Sequence, residues 1–126
     1  MEYTFEYLPE KGYAKARIAG PLDIRDAREC AAGVFALAAA HHCTKVLIDS
    51  TRVTANTGIS DIHGFYSRLE EFGCDRRMSV AIVYSDPLGT DQFIETVARN
   101  RGFGLKVLGT LKDAEEWLIG DPVASA

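Results

Sequence analysis

The chain has 126 residues, 47% of them apolar and 25% charged. That balance suits a single soluble domain of ordinary size and excludes wholesale disorder. With 14 Lys and Arg against 18 Asp and Glu the formal net charge is −4, which argues against a nucleic-acid binder, since Arg76-Arg77 and Arg99 to Arg101 are the only dense basic spots.

Tyr3 to Leu8 alternates Tyr, Phe and Tyr with Thr, Glu and Leu and suits a half-buried strand. Pro9-Glu10-Lys11-Gly12 is a turn signal, and Tyr13 to Ala19 reads as a second strand, so an opening hairpin is expected. Gly20-Pro21 is expected to break that strand. Asp23 is a candidate N-cap for a first helix, whose inward stripe is Ile24, Ala27, Ala31, Val34, Phe35 and Ala38, ending near His41-His42. Lys45 to Asp49 holds Val-Leu-Ile and fits a buried strand, with a loop from Ser50 to about Ile59. A second helix carries Ile62, Phe65, Tyr66, Leu69 and Phe72 on one stripe, with Gly73 at its C-cap. Met78 to Tyr84 is the clearest buried strand. Thr90 caps a third helix with Phe93, Ile94, Val97 and Ala98 inward, ended by Gly102. Leu105 to Leu108 makes a fifth strand. Thr110 or Lys112-Asp113 opens a last helix with Leu111, Ala114, Trp117 and Leu118 inward.

The order is thus β-β-α-β-α-β-α-β-α. Strands alternating with helices predict one mixed five-stranded sheet, mostly parallel, covered by helices, with an antiparallel strand at an edge. Residues 1–119 form the expected domain and 120–126 a loose tail. Cys30, Cys43 and Cys74 are odd in number and widely spaced, with no CxxC pair. They read as reduced thiols of a cytoplasmic protein, not as a disulfide framework or zinc site. The N-terminus lacks a basic region followed by an apolar run, so no signal peptide is expected. Ala31 to Ala40 is too short to span a bilayer.

Four stretches carry a resemblance. They are Ala16-Arg17-Ile18-Ala19-Gly20-Pro21-Leu22-Asp23, then Lys45-Val46-Leu47-Ile48-Asp49-Ser50-Thr51-Arg52-Val53, then Val80-Ala81-Ile82-Val83, and finally Lys106-Val107-Leu108 with Ala114-Glu115-Glu116-Trp117-Leu118. In their order and spacing, over nearly the whole chain, they resemble STAS-like domains, the group that includes bacterial anti-sigma-factor antagonists (SpoIIAA-like proteins). In the phosphoswitch members an Asp-Ser-Ser-Gly-like motif opens the helix after the third strand, and phosphorylation of a serine there breaks partner binding. This chain has Asn56-Thr57-Gly58-Ile59-Ser60-Asp61 instead. Thr57 and Ser60 stand near the expected place and the motif itself is absent. The resemblance therefore implies an uncharacterised STAS-like branch with a non-enzymatic binding or regulatory role.

The segment from Ser50 to Ser60 is the first candidate site, because open α/β sheets hold ligands at strand carboxyl ends. Ser50, Thr51, Thr54, Thr57 and Ser60 supply hydroxyls and Arg52 a cation. A following helix start would favour an anion, although turn formation and capping explain the same residues. The second candidate is Ser85 to Asp91, where Gly89 would allow close backbone approach and Ser85 and Thr90 offer hydroxyls; a turn with a capped helix is its plain alternative. Phe65, Tyr66, Leu69, Phe93 and Val97 could line an apolar pocket for a lipid-like molecule, or simply pack the core.

Catalytic arrangements fare worse. Asp49, Ser85 and Lys106 loosely follow a receiver domain, but Asp23 lacks the second carboxylate its Mg²⁺ needs. Asp49 is expected to cap the segment after it. His41 and His42 point about 100° apart on a helix and cannot readily share a metal. Ser60, Asp61 and His63 are spaced wrongly for a triad, and no GxSxG elbow exists. Gly102-Phe103-Gly104 leads into a strand and so is no dinucleotide fingerprint. The expectation is a non-catalytic domain with no cofactor or metal. It acts on a protein partner or on a small apolar or anionic ligand, and not on nucleic acid, through the loop and helix after the third strand. A lipid-like carrier or sensor is the alternative, with a small hydrolase or a degenerate receiver behind it. A C2 homodimer through an edge strand or helix is compatible with the pattern.

Overall fold

The computed structural model describes residues 2–21, 24–55, 69–74, 77–83, 102 and 104–119. Strands β1 (Glu2–Leu8) and β2 (Tyr13–Pro21) make the expected hairpin. Its turn closes with the Lys11 and Gly12 amides donating to the Leu8 carbonyl at 3.1 and 2.7 Å. Gly12 takes φ +78°, which a glycine adopts without steric cost. Helix α1 (Ile24–Ala40) follows, then β3 (Lys45–Ala55), a 3-10 turn at Leu69–Phe72, β4 (Ser79–Val83), β5 (Gly104–Leu108) and helix α2 (Leu111–Ile119). The sheet runs β1-β2-β3-β4-β5. Only the β1–β2 pairing is antiparallel, and β1 lies at the edge as expected. Asp23 and the expected second and third helices lie outside the described residues, apart from the end at Leu69–Phe72.

Alternation along each strand divides the sheet into two faces. One face carries Ala14, Ala16 and Ile18 of β2, Val46 of β3, Val80 and Ile82 of β4 and Leu105 of β5, in one core cluster with the α1 stripe of Ala31, Val34, Phe35 and Ala38. Ala14 and Ala16 are fully buried. Their small size lets α1 lie close over β2. The other face presents Tyr13, Leu47, Ala81 and Val83 to Ala114 and Leu118 of α2.

The α1 end is set by hydrogen bonding. The amides of His42 and Cys43 donate to the carbonyls of Ala39 and Ala38 at 3.1 and 2.8 Å, and His42 stands at φ +52°. This is a Schellman termination with histidine in the left-handed position that glycine usually fills. The same pattern ends the 3-10 turn, with Gly73 at φ +98° and the Cys74 amide donating to the Leu69 carbonyl at 3.2 Å. Gly73 is thus the cap the sequence indicates. Thr110 caps α2, its hydroxyl accepting from the Asp113 amide at 3.1 Å.

Three expectations need correction. β2 does not break at Gly20-Pro21 but runs through both residues. Gly20 at φ +91° absorbs an irregularity in the pairing, and Pro21 sits last in the strand, where its missing N–H costs little. β3 does not give way to a loop at Ser50, because β2 keeps pairing with it as far as Ala55. On α2, Leu111 and Trp117 are not inward: they are 40% and 37% exposed. A helix of 9 residues meets the sheet with one narrow stripe, here Ala114 and Leu118, and Trp117 is rotated about 100° from Leu118.

Candidate binding site at the carboxyl end of strand β3

β4 pairs with β3 from Lys45 to Asp49, where its described residues end at Val83. Beyond Asp49, β3 runs on beside β2 alone, and among the described residues nothing pairs with its other edge. This stretch is not a regular strand. Arg17 pairs with Asp49 but Ala19 pairs with Arg52, so β3 spends one more residue than β2 between them. A second extra residue falls between Gly20 opposite Val53 and Pro21 opposite Ala55. Bulges of this kind re-aim side chains and release a strand from its neighbour.

Asp49 holds the first bulge. Its Oδ1 accepts from the Thr51 amide at 3.0 Å and from the Thr51 hydroxyl at 2.7 Å. Its Oδ2 lies 3.7 Å from Nε of Arg17. The Asp49 side chain is 6% exposed, whereas Arg17 is 55% exposed. A nearly buried carboxylate is tolerated here because hydrogen bonds and a guanidinium satisfy it. Asp49 thus caps the segment after it, and Arg17, the residue the sequence reading passed over, is the cation on which it leans. The missed signal is an Arg within a strand, directly before Ile18 and three residues before Gly20; the register that sets it against Asp49 depends on pairing between distant strands.

Of the first candidate segment, Ser50 is buried, while Thr51 and Arg52 are exposed. Val53 is half-buried, and the chain leaves the described residues after Ala55. Thr57, Ser60, Ser85, Gly89 and Thr90 lie outside the described residues, as do Phe65, Tyr66, Phe93 and Val97. Leu69 is 2% exposed and belongs to the core cluster beneath α1. Lys106 pairs with Ala81, in the row of Leu47, whereas Asp49 shares its row with Val83 and Leu108. The strand register therefore sets Lys106 two rows away from Asp49 with β4 between them.

The described residues offer little for catalysis. No group of three His, Cys, Asp or Glu side chains among them could hold a metal ion. All three cysteines are buried. Burial pushes the Cys30 thiol up to about 12, so it stays protonated and unreactive near neutral pH. The Cys43 sulfur lies 3.3 Å from both the Gly12 and the Lys45 carbonyl oxygens, its one S–H shared between them, and links the hairpin turn to the start of β3. No helix among the described residues is long and apolar enough to cross a membrane.

No protein-family model and no curated protein matches the chain. Solved structures do. The anti-sigma factor antagonist SpoIIAA, in its unphosphorylated form, is similar with a TM-score of 0.54 at 17% identity, over 95% of this chain and 100% of that one. An uncharacterized protein of the DUF3478 family from Shewanella loihica PV-4, described as having a SpoIIAA-like fold, is similar with a TM-score of 0.55 at 17% identity. That match spans 93% of this chain and 92% of the other. The chain therefore has the SpoIIAA-like, STAS-like fold, a single mixed five-stranded α/β sheet.

Proposed function

We propose that this chain is a non-catalytic regulatory domain that docks a protein partner at the carboxyl end of β3, through Thr51, Arg52 and the following segment with Thr57 and Ser60. The observation that carries the reading is the stretch of β3 beyond Asp49: it stays paired with β2 as far as Ala55, carries two bulges, and exposes Thr51 and Arg52. Exposed polar backbone and side chains on a rigid sheet are what a partner can read. SpoIIAA, whose fold this chain shares, is an anti-sigma factor antagonist, and a partner-binding role fits the same architecture.

A negative charge introduced at this end tests the reading. With the partner obtained by cross-linked capture, Ser60→Asp and Thr57→Asp are each expected to weaken binding roughly tenfold or more, through desolvation and repulsion at the interface. Isothermal titration reads the loss. Unchanged affinity in both variants would remove this surface from the interface.

A further inference from the structure

We infer that β1 is a self-pairing edge: two copies of this chain join through antiparallel β1–β1 pairing about a two-fold axis at Phe5, making one continuous sheet.

The edge is open. Among the described residues β1 pairs only with β2, and its outer side carries a row of unpaired backbone groups over Glu2–Leu8. Proteins normally blunt such an edge with Lys, Pro or a bulge. β1 has the sequence EYTFEYL, with neither Lys nor Pro, and its pairing with β2 runs without a register shift. Its face toward α1 is an aromatic row. The Tyr3 and Phe5 ring centroids are 5.3 Å apart, and Tyr7 stacks on His41 at 3.9 Å. Phe5 is 38% exposed despite lying over Gly33 of α1, where a Cβ would collide with its ring.

The sequence of β1 selects a second copy and one register. An axis at Phe5 sets Phe5 against Phe5 and Tyr3 against Tyr7, and it pairs the whole strand. The neighbouring two-fold registers shorten the pairing and bring carboxylates together: an axis at Thr4 sets Glu2 against Glu6, and an axis at Glu6 sets Glu6 against itself. Aromatic cross-strand pairs stabilise, and like charges directly opposite destabilise. On the other face, Thr4 pairs with Arg17 and Glu6 with Lys15, and these four residues line a shallow polar groove. The Phe5 register brings Glu6 of the second copy opposite Thr4, in the row that continues through Arg17 to Asp49. A carboxylate then arrives beside the half-exposed guanidinium over a small side chain, so the charges match.

Sedimentation velocity of the full chain between about 1 and 200 µM tests this, with dissociation expected near 10 µM for so small an interface. Phe5→Lys sets two ammonium groups face to face on the axis and is expected to weaken the dimer roughly tenfold or more, with unchanged circular dichroism. A second test reads the register. Phe5→Cys is expected to form a disulfide-linked dimer under mild oxidation. Tyr3→Cys and Tyr7→Cys are expected to cross-link only when mixed, and the wild type not at all, because Cys30, Cys43 and Cys74 are buried. A monomer at the highest concentration would overturn the inference. So would a dimer indifferent to Phe5→Lys, or equal cross-linking of Tyr3→Cys alone.

Discussion

Replacing Phe35 by Ala is expected to lower the unfolding free energy by about 4 kcal/mol, the cost of deleting a large buried ring that its surroundings cannot refill. Phe35 is 1% exposed and stands in the inward stripe of α1, within the cluster formed by Ala14, Ala16, Val46 and Leu69. Gly73 closes over it: a Cβ there would lie 3.4 Å from the Phe35 Cβ. The loss is a large share of what a domain of this size possesses. Urea unfolding should show a lower midpoint with an unchanged slope. Ala36 is the internal control, since it is exposed on the same helix; Ala36→Ser is expected to change stability by less than about 0.5 kcal/mol. Equal effects at the two positions would mean that α1 does not lie on the sheet as described.

The second large effect centres on Tyr13. It is 2% exposed and packs with Leu47, Ala81, Val83, Ala114 and Leu118. Its hydroxyl donates to Oε2 of Glu115 at 2.6 Å, and Lys11 reaches the same oxygen at 2.9 Å. This contact ties the start of β2 to α2, 102 residues along the chain. Tyr13→Ala is expected to cost about 4 kcal/mol, as for other large buried rings. Tyr13→Phe removes only the hydroxyl and is expected to cost about 1.5 kcal/mol, the usual worth of a hydrogen bond to a charged group.

The pair also sets a pH dependence. The Tyr13 hydroxyl, and then the Lys11 ammonium, hold the Glu115 carboxyl below the ordinary carboxylate range. Folding thus favours the ionised form. The stabilisation is present above the ordinary glutamate pKa, about 4.3, and fades as pH falls through the lower folded value. Burial, followed by the bond to Glu115, raises the Tyr13 phenol. Folding favours its protonated form, so that contribution is present below about pH 10 and fades as pH rises further. The stability difference between wild type and Tyr13→Phe is therefore expected to be flat near neutrality and to shrink toward both extremes. A constant difference from pH 3 to 11 would contradict the pairing.

Periodicity revealed what depends on local pattern. The alternation of Tyr3 to Leu8, the stripe from Ala31 to Ala38 and the apolar run at Val46 to Ile48 each placed an element correctly, and their order implied the mixed sheet. Gly73 and Thr110 announced helix ends because capping chemistry is local. What stayed hidden depends on register between distant segments. Ser50 to Ala55 looks like a loop because hydroxyls and Arg52 dominate it, yet β2 keeps pairing there and Asp49 holds the bulge. Trp117 looks like core because it is large and apolar, yet α2 presents only Ala114 and Leu118 to the sheet. The ties of Tyr13 to Glu115 and Arg17 to Asp49 cross between strands and a helix whose alignment no local pattern specifies. At the candidate site, the sequence indicated the carboxyl end of the third strand, and it was the bulged pairing that showed why Thr51 and Arg52 are presented there.

The most direct test of partner docking is site-specific photo-cross-linking in the host cell. A photoreactive residue replaces Arg52, at the carboxyl end of β3, or Glu10, in the hairpin turn at the opposite end of the sheet. Docking at β3 predicts a discrete protein cross-linked from position 52, lost on adding Ser60→Asp, and absent from position 10. Cross-linking from position 10 as strong as from position 52, or none from position 52, would contradict it.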